Sequence, residues 1–71
     1  MSTAESSTNA VAKLRAAWRH AERAAHAAAR ARQTTERDLQ LSFLMQAEEQ
    51  SNAAMAAIEE AARLCQDSVK T

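Results

Sequence analysis

Apolar residues recur along this chain at alternating steps of three and four, the spacing that places side chains on one face of an α-helix. In the first half of the chain this face is narrow and rich in alanine, and it comprises Val11, Leu14, Trp18, Ala21, Ala25 and Ala28. In the second half it is broader, and it comprises Phe43, Ala47, Ala54, Ile58, Ala61 and Cys65, with Leu44 and Met55 beside it. The pattern therefore predicts two amphipathic helices.

One short interruption separates the two helical patterns. Residues 33–35 read Gln-Thr-Thr and carry no large apolar side chain. Thr35 can cap a helix through its hydroxyl, and Glu36 and Asp38 follow it where the helix dipole favours negative charge. We therefore predict a single domain over residues 1–71, with helix 1 at about 3–32, a turn at about 33–35 and helix 2 at about 35–68.

The predicted fold class is all-α, and the predicted architecture is an antiparallel helical hairpin. When the chain turns at residues 33–35, residue i comes to lie opposite roughly residue 68 − i, and large side chains face small ones at most levels. One unbroken helix of about 100 Å is the alternative, and such a helix would be stable only as a coiled coil.

A second copy of the chain is predicted to complete the core. In a domain this short, one core seldom supplies more than about 3–5 kcal/mol, and the single cysteine cannot form an internal disulfide. Leu64 and Cys65 would lie against an N-terminal segment of small side chains, so we expect a homodimer that forms a four-helix bundle. Trp18 fits either a core anchor or an interface anchor. The residues assigned to the core or the dimer are Trp18, Phe43, Leu44, Met55, Ile58, Leu64 and Cys65.

The residue types needed for catalysis or metal binding do not occur at useful spacings. The chain has no glycine for a phosphate-binding loop. His20 and His26 are six residues apart and diverge on a helix, whereas zinc ligands on one helix need a spacing of three or four. Cys65 lies on the apolar face, where a small buried thiol is the ordinary interpretation. We expect no catalytic residue, no cofactor and no metal, and hence no enzyme.

Charge is divided between the two halves. Residues 1–32 carry six basic and two acidic side chains, a net charge of +4, and residues 33–71 carry three basic and seven acidic ones, a net charge of −4. Two oppositely charged helices packed side by side explain this division, and a basic helix aimed at nucleic acid would also explain it. A dedicated nucleic-acid-binding protein usually has a net basic surface, so nucleic acid is not the partner that we expect. The basic residues with helical spacing are Arg15, Arg19, Arg23 and Arg30.

Neither a membrane span nor a secretory signal is predicted. No uninterrupted apolar stretch approaches the roughly 18 residues that a spanning helix needs. The N-terminal residues lack the basic region and apolar run of a signal peptide. We therefore expect a cytoplasmic protein.

The densest group of large apolar residues lies just after the predicted turn. Leu41 and Met45 are four residues apart, so they share one face of the helix, and that face lies off the apolar stripe. Surplus apolar surface of this kind usually marks an interaction site, and helix-in-groove recognition uses such pairs. Burial of both residues in the dimer is the alternative. The residues predicted to bind a partner are Leu39, Leu41, Met45 and Glu48.

The segment AAWRHAERAAHAAARARQTTERDLQLSFLMQAEEQ, with the chain length and the Ala/Arg-rich composition, resembles the small helical-hairpin inhibitors encoded by bacteriophages. These include the anti-quorum-sensing type that binds host regulators of Pseudomonas. The resemblance implies a larger host protein as the partner, such as a transcriptional regulator or a pilus-assembly ATPase, inhibited by stoichiometric binding. The chain is also similar in size and shape to helical co-chaperones of type III secretion and to RNA-binding four-helix-bundle dimers.

Overall fold

The protein is a hairpin of two long helices in the computed structural model, which describes residues 3–70 and, for side chains, residues 8–67. Helix α1 spans Thr3–Gln33 and helix α2 spans Arg37–Lys70. Over those residues no strand occurs, and the two helices contact each other along their length. The predicted all-α helical hairpin is confirmed.

The break between the helices falls at residues 34–36, one residue later than the predicted turn. The carbonyl of Glu36 accepts the first hydrogen bond of α2, from the backbone N–H of Gln40 at 2.9 Å. Glu36, and not Thr35, is therefore the residue at the cap position. Asp38 lies in the first turn of α2, where its charge is favourable beside the helix dipole.

Small side chains line the contact between the two helices, which we call the seam. The buried hydrophobic residues are all alanine, and no large side chain among the described residues is fully buried. Alanine lets two helices approach closely along a heptad spacing. The seam comprises Ala10, Lys13, Ala17, His20, Ala24, Ala27 and Ala31 of α1, and Phe43, Ala47, Gln50, Ala54, Ala57, Ala61 and Leu64 of α2.

The predicted inner face of α1 was wrong by one residue. Val11 is 47% exposed, Leu14 is 49% exposed and Trp18 is 68% exposed, so Trp18 is not a core anchor of the hairpin. Each of them follows a seam residue directly. Close contact between helices selects the smallest side chains, and an alanine repeat every seven residues supplies them; this repeat is Ala10, Ala17, Ala24 and Ala31.

The predicted inner face of α2 was partly wrong. Phe43, Ala47, Ala54 and Ala61 lie on the seam, and Leu64 is half-buried there. The other four residues assigned to the core or the dimer are exposed, because the narrow alanine face of α1 covers only one strip of α2; they are Leu44, Met55, Ile58 and Cys65.

Two polar contacts across the seam show its register. Nδ1–H of His20 donates a hydrogen bond to Oε1 of Gln50 at 2.7 Å, since an amide oxygen can only accept. Nζ of Lys13 lies 3.3 Å from a carboxylate oxygen of Glu60. The paired residue numbers add up to 70 and 73 respectively, against the predicted 68. A turn one residue later raises the sum from 68 to 70, which the His20–Gln50 pair matches, and the long side chains of Lys13 and Glu60 span the remaining offset.

The hairpin is long and thin. Its principal extents are 53 × 14 × 11 Å, and its radius of gyration is 16.0 Å. A compact domain of this length has a radius of gyration of about 11 Å. One hairpin therefore has little interior, and most side chains stay near its surface.

Candidate interaction surfaces

Large apolar side chains gather on one broad side of the hairpin. On a right-handed helix, the residue after a seam residue lies about 100° further round. The two helices run in opposite directions and face each other, so these next residues fall on the same side of both. We call this side the apolar flank, and its large residues are Val11, Leu14 and Trp18 of α1 and Leu44, Met55 and Ile58 of α2.

The apolar flank is uneven along its length. Near the free ends of the helices it carries large side chains. An open groove of about 310 Å³ on α1 lies between these apolar residues and two arginines, and it is lined by Val11, Leu14, Trp18, Arg15 and Arg19. Towards the turn the flank becomes shallow on α1, where its side chains are small, whereas on α2 the charged Glu48 follows the seam residue Ala47 and lies at the border of the flank before Leu44. The small residues of the flank, all exposed, are Ala21, Ala25, Ala28 and Ser51.

The opposite side of the hairpin is polar. Residues that precede seam residues lie there, and they include Arg19, Arg23 and Arg30 of α1. Glu60 of α2 reaches Lys13 from this side. The guanidinium of Arg30 lies over the ring of Phe43, 5.7 Å from its centroid. The hairpin is thus amphipathic as a whole, with one side suited to burial and one suited to water.

A second apolar surface lies on the outer edge of α2 beside the turn. Leu41 is 56% exposed and Met45 is 63% exposed, and Glu48 follows on the same face. These residues point away from α1, and we call them the turn-end edge. Leu39 does not join them. It lies about 200° round the helix from Leu41, and with Arg30 and Phe43 it lines a different open cavity.

The reactive side chains stay apart. Within the part of the chain whose side chains are described, no three His, Cys, Asp or Glu residues converge as metal ligands would. Cys65 is exposed in the single hairpin, so it is not a buried thiol of the hairpin core, and its assignment to the dimer stays a prediction. His20 is held in the seam by Gln50, whereas His26 is exposed on α1.

Neither α1 nor α2, over its described residues, contains an apolar stretch long enough to cross a bilayer. Comparisons with protein-family models, with curated proteins and with solved structures find no match to this chain.

The periodicity of the sequence misplaced the flank residues Val11 and Leu14 in the interior. The signal that could have located them was the alanine repeat. Once Ala10, Ala17 and Ala24 are taken as the contact face of α1, the handedness of the helices puts the larger residues on a shared flank.

Proposed function

We propose that this protein is a non-enzymatic protein–protein interaction module. In this proposal two copies pair through the apolar flank into a four-helix bundle, and the turn-end edge binds a larger protein. The observation that carries the proposal is the inversion of the usual burial pattern. Alanines fill the seam, while nine large apolar side chains among the described residues are at least 44% exposed.

Energetics support pairing through the flank. Burial of an alanine methyl contributes about 0.8 kcal/mol, whereas full burial of a Leu, Ile, Met or Phe side chain contributes about 1.5–3 kcal/mol. Folding of one hairpin buries mainly alanine methyl groups, so it gains mostly the smaller of these two free energies. Its accessible surface is 5575 Å², and a globular monomer of 7.7 kDa exposes about 4,300 Å². The additional surface that the hairpin exposes, relative to such a monomer, is larger than the roughly 800 Å² that each partner contributes to a standard interface.

Geometry supports a separate partner site at the turn-end edge. Leu41 and Met45 point away from α1 and lie outside the apolar flank, so the proposed pairing does not need them. With Glu48 they present the i, i+4, i+7 spacing by which a helix docks into an apolar groove. A larger host protein, such as a transcriptional regulator, is the partner that we propose, and a type III secretion subunit is the alternative.

The exposed arginines of α1 favour one further candidate. Arg15, Arg19, Arg23 and Arg30 are all exposed and follow one another along the helix, as groups that contact a phosphate backbone do. The net charge of the chain is zero. The large apolar side chains do not lie on the face that carries these arginines. RNA binding therefore ranks below protein binding, and its signature would be an affinity that falls steeply with salt.

Affinity capture from a bacterial lysate, with nuclease treatment and mass spectrometry, tests the function. The bait variant Leu41→Glu/Met45→Glu should lose the protein that the wild-type bait retains. The matched control is Ser42→Glu/Gln46→Glu, which adds the same charges at the same spacing to exposed positions on the polar side. Retention of the protein by the first variant would contradict the assigned site, and loss of the captured material after nuclease treatment would indicate RNA binding.

A further inference from the structure

The uneven distribution of large and small side chains along the apolar flank indicates how two hairpins pair. We infer that the second copy packs end for end, with its turn beside the free ends of the first. This inference rests on the proposed pairing through the flank. The two-fold axis is then perpendicular to the helices and lies in the plane between the two hairpins, so α1 packs on the α1 of the other copy and α2 on the other α2.

Large residues of α1 meet small ones when the copies are placed this way. On α1, Leu14 falls over Ala28 of the other copy and Trp18 falls over Ala25, since each pair is centred close to residue 21. On α2, Met55 falls over Ala47 at the border of the seam and beside Glu48, whereas Ile58 and Leu44 are both large and pack side by side; these pairs are centred close to residue 51. Interdigitation of the kind on α1 is what close-packed interiors require.

The centre of the α1 pairs and the centre of the α2 pairs lie at about the same level of the hairpin. A two-fold axis can relate both helices only if residue 21 of α1 and residue 51 of α2 lie at the same level. The hydrogen bond between His20 and Gln50 and the ion pair between Lys13 and Glu60 place residue 21 opposite residues 49 to 52, so residue 51 lies at this level.

The alternative two-fold axis runs along the hairpin and keeps both turns at one end. It would stack the large groups of Leu14, Trp18 and Met55 on one another at the free ends. Towards the turn, Ala21 would then face the small side chain of Ser51 across a gap. That arrangement brings the basic helix of one copy beside the acidic helix of the other, but exposed charge pairs contribute little, so packing decides.

The end-for-end dimer has a functional consequence. Both α2 helices lie along one edge of the bundle, so the two copies of Leu41 and Met45 are on the same edge. Leu41 is ten residues from the axis, which separates its two copies by about 30 Å along the bundle. A partner that is itself two-fold symmetric can contact both copies at once and gain avidity.

Distances between spin labels on the full-length dimer test this arrangement. Asn52 and Arg63 are both exposed on the outer edge of α2, and each is changed to cysteine in a Cys65→Ser background. The Asn52→Cys labels should lie close together, because the two α2 backbones are about 10 Å apart near the axis. The Arg63→Cys labels should be separated by about 36 Å along the bundle.

Equal distances at the two labelled positions would overturn the end-for-end arrangement and leave the proposed function standing, because an axis along the hairpin gives that result. If no distance between two labels were detected and the mass were that of a monomer, the end-for-end arrangement and the proposed pairing through the flank would both be overturned. Circular dichroism of each labelled variant shows whether the helices are retained.

Discussion

The apolar flank and the turn-end edge are similarly exposed but are built differently. The flank takes residues from both helices, such as Trp18 and Met55, and it exists only when the hairpin register is correct. The turn-end edge takes Leu41 and Met45 from α2 alone. Exposure by itself therefore does not distinguish a surface that completes the fold from one that binds a partner. We propose that the number of helices that build each surface distinguishes the two roles, because only the flank depends on the packing of α1 against α2.

The largest expected effect comes from charge on the flank. Trp18→Glu with Met55→Glu would place carboxylates in the proposed interface, where an unpaired buried charge costs several kcal/mol. We expect loss of the dimer and of most helical circular dichroism at micromolar concentration. Ala12→Glu with Ala56→Glu adds the same charges to exposed positions on the polar side and should leave mass and helicity unchanged. A stable dimer in the first variant would contradict the role of the flank.

A smaller effect is expected at the seam, on which the flank depends. Ala27 is 6% exposed between the helices, so Ala27→Leu overpacks a close contact and should cost about 1–3 kcal/mol. Thermal denaturation should show a melting temperature lower by about 4–8 °C for each kcal/mol. Ala12→Leu is the control, because Ala12 is exposed. If both variants had the melting temperature of the wild type, the seam would tolerate larger side chains than its alanines indicate.

The smallest effect is expected at the turn-end edge. Leu41→Glu with Met45→Glu should change the free energy of unfolding by less than about 0.5 kcal/mol for each exposed site. The dimer mass and the helical signal should also stay the same. Urea denaturation monitored by circular dichroism measures the change. If the dimer dissociated in this variant, Leu41 and Met45 would belong to the self-association surface and not to the partner site.

The helical content and the hairpin could be predicted because they follow from local composition. A chain rich in alanine, with no glycine or proline and one polar interruption near residue 34, favours two helices over any other arrangement. Exposure of Leu41 and Met45 also followed from spacing, since neither falls on the stripe of α2.

The rotation of α1 could not be predicted from hydrophobicity. Its alanines occur on almost every side, so Ala17 and Ala21 are equally acceptable contact residues when α1 is considered alone. The choice depends on how closely α2 approaches, and that distance is a property of the pair. The register of the two helices could not be predicted either, because a turn that ends one residue later, at Glu36, moves every contact across the seam.

Sedimentation equilibrium of the unmodified chain at micromolar concentration tests the central claim most directly. That claim is that the apolar flank, from Val11 to Ile58, is covered by a second copy. The account predicts a mass twice the 7.7 kDa of one chain, with full helicity in the same sample. A mass of 7.7 kDa with helicity intact would contradict it, because the hairpin would then be stable with its large apolar side chains in water.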